Sequence, residues 1–86
     1  MNISVDISMY PLKEGFEASI IDFIKTLRES GLKVEENGLS TQVFGPFQTV
    51  MPVVNSSIEK AMSDQENCVF AIKIVSGNRG SHVPTY

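Results

Sequence analysis

Along its first ten residues the chain alternates, Ile3, Val5, Ile7 and Met9 being separated by Ser4, Asp6, Ser8 and Tyr10. A period of two is the mark of a half-buried strand, so the pattern predicts one over Asn2 to Tyr10, ended by Pro11, which has no amide to give to a ladder. From Gly15 the period lengthens: Phe16, Ile20, Phe23, Ile24 and Leu27 fall on one side of a helix, with Glu17, Asp22, Lys25 and Arg28 left for the wet side. Ser30-Gly31 is a suitable stop, because glycine accepts the left-handed conformation that closes a helix. Leu32 to Glu36 reads as extended. Asn37-Gly38 then reads as a two-residue hairpin turn with positive φ, which leads into a strand over Leu39 to Phe44. Gly45-Pro46 is expected to break that strand. Val50, Met51, Val54, Ile58, Ala61 and Met62 recover the helical period to about Ser63, provided that Pro52 falls in the first turn. Asn67 to Ser76 reads as a last strand, with Gly77, Asn78 and Gly80 after it.

The order strand, helix, strand, strand, helix, strand predicts an α+β, ferredoxin-like βαββαβ domain over residues 1–77, followed by a polar tail over 78–86. Right-handed crossovers put the first and third strands in the centre of a four-stranded antiparallel sheet and both helices on one face. Parity sends Ile3, Val5, Ile7, Met9, Phe70, Ile72 and Ile74 toward the helices. Ser4, Asp6, Ser8, Tyr10, Gln42, Phe44, Val69, Lys73 and Val75 then occupy the open face. This half-apolar, half-polar surface suits either a subunit interface or a small-molecule site. Asp6 and Lys73 on neighbouring strands equally make a structural cross-strand ion pair, and Tyr10 and Phe44 equally pack against a partner subunit.

Composition narrows the function classes. Seven Lys plus Arg against ten Asp plus Glu leave a net charge of −3 in 86 residues, so there is no basic field for nucleic acid or an anionic membrane. No apolar run approaches the roughly 18 residues of a membrane span, and the N-terminus lacks the pattern of a signal peptide, so a cytoplasmic address is expected. Cys68, the single cysteine, excludes an internal disulfide and a cysteine-based metal cluster, and reads as a small hydrophobe. His82, the single histidine, falls in the tail, and no catalytic constellation or metal set is visible, so binding without chemistry is expected. An 86-residue chain without staples gains by sharing surface with a copy of itself.

Val5 to Leu12, Gly31 to Glu35, Asn37 to Gly45, Val50-Met51 and Ile72 to Ile74 together resemble the thiamine-binding protein family, also called MTH1187/YkoF-like and formerly DUF77. The resemblance implies a ferredoxin-like fold and a non-catalytic protein that needs no cofactor. It also implies homodimers or homotetramers built through sheet faces or edges, and a ligand such as thiamine or its hydroxymethylpyrimidine half. Thr41 stands where the family has a threonine and Ser40 at the small polar place before it. With Asn37 in the same stretch and Asp6, Ser8, Tyr10, Gln42 and Lys73 of the open face, they form the candidate site. Hydroxyls and amides suit the ring nitrogens and amine of an aminopyrimidine, Asp6 can accept from the amine, and Tyr10, Phe44 or Met51 can cover the ring. Phe44 and Val75 stand where the family often has acids, which removes two groups that would face a cation. The alternatives are an interaction module with a degenerate ligand site and an amino-acid-sensing regulatory domain.

Overall fold

The alternating N-terminal stretch forms β1 (Asn2–Pro11), and the helical pattern after it forms α1 (Phe16–Arg28). There follow β2 (Lys33–Glu36), β3 (Thr41–Pro46), α2 (Phe47–Asp64) and β4 (Cys68–Ser76). The computed structural model describes residues 1–12, 14–64 and 67–80. The strands lie in the order β2-β3-β1-β4, every neighbouring pair antiparallel, as expected for the ferredoxin-like arrangement.

Register places Val5 opposite both Val43 and Ile74, and Ile7 opposite both Thr41 and Ile72, so one sheet face carries the apolar set. Ile3, Val5, Ile7 and Val43 are buried there against Phe23 and Leu27 of α1 and Val50, Val54 and Ala61 of α2. Full burial of each large side chain is worth about 1.5–3 kcal/mol, and the Phe23 and Phe70 rings, 5.1 Å apart and tilted by 56°, tie the edge strand to α1.

Pro11 ends β1 as expected, being its last residue, opposite Cys68, where a missing amide matters least. Other local expectations are corrected. Gly45-Pro46 does not break β3: Pro46 is still paired with Asn2, and the chain enters α2 directly, with Phe47 N donating to Met1 O at 2.8 Å. Gly45 is needed here for another reason. Its φ is 152°, and a Cβ would lie 3.2 Å from Leu32 Cδ2 and 3.3 Å from Val50 Cγ2, so only a bare backbone lets these side chains close over the strand. α2 therefore starts three residues before Val50, and Pro52 sits inside the helix rather than in its first turn.

Asn37-Gly38 is not a two-residue turn. Glu36 pairs with Thr41, residues 37–40 form the loop, and neither Asn37 nor Gly38 has a positive φ. Asn37 Oδ1 accepts from Leu39 N at 2.8 Å and from Ser40 N at 3.2 Å, so the asparagine side chain, rather than a left-handed backbone, closes the turn. Ile72 and Ile74 point to the helix side as expected but remain 43% and 50% exposed, because the helices cover the edge strand β4 only in part, mainly at Cys68 and Phe70.

Candidate functional site

Where β1 ends and the 37–40 loop turns back, a cleft of about 470 Å³ opens between the sheet and α1. Its depth is apolar, formed by Ile7, Met9, Ile20, Phe23 and Ile24, and its mouth is ringed by Tyr10, Leu12, Phe16 and Leu39. All four mouth residues are exposed, Leu39 to 89%, although each is apolar or aromatic. The polar groups on the wall are Ser8, Asn37, Ser40 and Thr41, and no charged side chain is found among the described lining residues.

Thr41 is the first residue of β3 and, by its pairing with Ile7, turns its side chain to the helix side. It is only 6% exposed, and its hydroxyl makes no hydrogen bond among the described residues. A hydroxyl without a protein partner at the wall of a cleft is available to a group entering it. Asn37 spends its carbonyl on the turn, which leaves its amide N–H groups as donors at the same wall. Ser8 contributes little, its hydroxyl reaching Leu39 O only at 3.4 Å.

The open face is organised as a row. Cross-strand pairing sets Glu35 beside Gln42, Gln42 beside Asp6 and Asp6 beside Lys73, from one edge of the sheet to the other. Ser40 Oγ donates to Asp6 Oδ1 at 2.5 Å, and Gln42 Nε2 lies 3.0 Å from the same oxygen and 2.7 Å from Ser40 Oγ. The Ser40 and Gln42 hydrogen bonds, and to a smaller degree the Lys73 charge, hold the Asp6 carboxyl below its ordinary value against the opposing effect of burial. No ion-pair contact joins Asp6 and Lys73 among the described residues. The ion pairs found there are Arg28 with Glu36, and Lys33 with Glu35 at 3.4 Å.

The eight residues singled out in the sequence thus divide between two places. Ser8, Tyr10, Asn37, Ser40 and Thr41 line the cleft; Asp6, Gln42 and Lys73 line a groove on the other side of the sheet, and Ser40 alone touches both through its bond to Asp6. Phe44 is not available to cover a ring, being 6% exposed, with Gly80 against its ring and Lys33 Nζ 5.5 Å from the ring centroid. Met51 packs against the core from α2 instead. Of the mouth residues, Leu12 falls in a loop; Phe16 keeps the α1 period but, as the first residue of the helix, is 45% exposed; and Leu39, expected to begin a strand, lies in the 37–40 loop instead. The available signal was an apolar residue inside the polar Asn37-Ser40 loop.

Cys68 packs against the core, and burial pushes its thiol up, which agrees with a structural role. His82 and the rest of the tail from 81 onward lie outside the described residues. Among the described residues no cluster that could hold a metal ion occurs, and no helix is long and apolar enough to cross a membrane.

A family model described as thiamine-binding protein matches residues 5–82. No curated protein matches the chain. Among solved structures, a protein of Streptococcus pneumoniae superposes with a TM-score of 0.84 at 24% identity, over 94% of this chain and 92% of its own. A Thermotoga maritima protein assigned provisionally to thiamine biosynthesis or salvage gives 0.81 at 20% identity, over 99% and 91%. A Bacillus cereus domain of unknown function, DUF77, gives 0.75 at 17% identity, over 91% and 78%. At these identities the likeness is one of fold.

Proposed function

The chain belongs to the thiamine-binding protein family, and from that premise we propose that it is a non-catalytic protein whose cleft takes a small neutral ring of the hydroxymethylpyrimidine type. The observation that carries this reading is the Thr41 hydroxyl, buried and unpartnered among the described residues at the wall of an apolar cleft. An aminopyrimidine brings ring nitrogens that accept and an exocyclic amine that donates, and a threonine hydroxyl both gives and takes a hydrogen bond. The Asn37 amide supplies a further donor, while Tyr10 and Phe16 offer flat contact at the mouth. Thiamine enters with its pyrimidine half inward and its cationic ring in solvent, since no carboxylate is found among the described lining residues.

The protein acts in this reading as a cytoplasmic homo-oligomer. The bare β4 edge, with Val69, Ile72 and Ile74 exposed, supports association through that strand, which extends the sheet and covers apolar surface in one step.

Thermal unfolding with hydroxymethylpyrimidine and with thiamine tests the reading. A ligand at 100 times its dissociation constant adds about 2.7 kcal/mol, a shift on the order of 10 °C for a domain of this size. An unmoved transition at millimolar concentrations of both compounds contradicts it.

A further inference from the structure

We propose that the groove on the open sheet face is a second site, separate from the cleft, that takes a small zwitterion of the α-amino-acid class. The groove, about 550 Å³, runs between the polar row of the sheet and the segment after β4, and is bordered by Asp6, Glu35, Gln42, Lys73, Val75 and Arg79, Glu35 being paired with Lys33 at 3.4 Å. That segment is fastened down. Gly77 N donates to Asn2 O at 2.8 Å, Ser4 Oγ donates to Gly77 O at 2.8 Å, and Arg79 N donates to Ser4 Oγ at 2.7 Å. Gly80 then lies so close to Phe44 that a Cβ would sit 3.2 Å from the ring, so the backbone carrying Arg79 has a fixed seat over the sheet.

The hydrogen-bonding capacity left over defines the ligand. Asp6 uses Oδ1 for both Ser40 and Gln42, and its Oδ2 makes no hydrogen bond among the described residues. Gln42 spends its Nε2 on Asp6 and Ser40, which leaves Oε1 as an acceptor. Lys73 and the Arg79 guanidinium form no ion pair among the described residues. An ammonium group is met by Asp6 Oδ2 and Gln42 Oε1. A carboxylate on the neighbouring carbon is met by Lys73 and, in bidentate fashion, by Arg79. A phosphate dianion lacks the ammonium and meets the Asp6 and Glu35 carboxylates instead; a simple cation leaves Lys73 and Arg79 unmatched. Val75 gives the ligand's own side chain an apolar floor.

Calorimetric titration with the common L-amino acids, followed by ¹⁵N chemical-shift mapping of the best of them, tests the site. Saturable binding is expected, with the largest shifts at Asp6, Gln42, Lys73 and Arg79. Lys73→Ala and Arg79→Ala should each weaken binding about tenfold or more, as expected when a charge-assisted hydrogen bond is lost. Thr41→Val, which alters only the cleft, should leave amino-acid binding unchanged while reducing that of hydroxymethylpyrimidine, so the two sites fail independently. The proposal is overturned if no amino acid binds at millimolar concentration, if the shifts gather around Thr41, or if N-acetylated amino acids or inorganic phosphate bind as well as the free amino acids.

Discussion

Thr41 follows Ser40 in the chain and Asp6 accepts from the Ser40 hydroxyl, yet physics assigns them opposite tasks. The Thr41 hydroxyl has no partner among the described residues and lines the open cleft, so removing it costs the empty protein little and removes a contact in the loaded one. Thr41→Val is therefore expected to leave stability in urea unchanged or raise it by about 0.5–1 kcal/mol, while pyrimidine affinity falls about tenfold by calorimetry. Asp6 is satisfied by Ser40 and Gln42, and its carboxyl is held below the ordinary value of 3.8. In the window between the lowered folded pKa and about 3.8, the unfolded chain binds more protons than the folded one. The Asp6 contribution is thus complete above that window and lost as the pH falls through the folded value. Urea midpoints measured from pH 6 down to pH 2 should decline less steeply in Asp6→Asn than in the parent protein; identical slopes would show that Ser40 and Gln42 do not act on the carboxylate as described.

The elements differ in how far their sequence reveals them. β1 and α1 were legible because Ile3 to Met9 and Ile20 to Leu27 each repeat one period over several residues, and that regularity reflects burial on a single face. The joints were not. Pro46 and Pro52 each carry a local preference to interrupt structure, and tertiary pairing with Asn2 and the packing of Val50 and Val54 override it. Pro52 leaves the helix without one amide donor, so Pro52→Ala should raise stability by about 1–2 kcal/mol in urea unfolding, less than the full intrinsic penalty of about 3 kcal/mol. The site was half legible for a related reason. Parity correctly sent Asp6, Gln42 and Lys73 to one face, but parity within strands does not report which loop closes over which end. Tyr10 and Ser8 therefore joined Thr41 at the cleft rather than Asp6 at the groove, and Ser40 bridges the two through its bond to Asp6. The β4 edge is the remaining case, where periodicity named Ile72 and Ile74 as covered although they stay 43% and 50% exposed.

On the scale of the whole molecule, the helices shield two of the four strands well, the segment 77–80 covers part of the opposite face, and an apolar edge is left over. An 86-residue domain has little stability to spare, and sheet extension through β4 is the most economical way to bury that edge. Light scattering is expected to give at least twice the monomer mass, and Ile72→Lys together with Ile74→Lys should return it to the monomer; a monomeric parent protein would remove this part of the proposal. Ligand binding remains the central claim, and a ¹⁵N chemical-shift titration with hydroxymethylpyrimidine tests it most directly. Saturable shifts should concentrate on Ser8, Tyr10, Leu12, Phe16, Leu39 and Thr41, and disappear in Thr41→Val; a spectrum unchanged at millimolar ligand, or shifts confined to Asp6, Gln42 and Lys73, would contradict it.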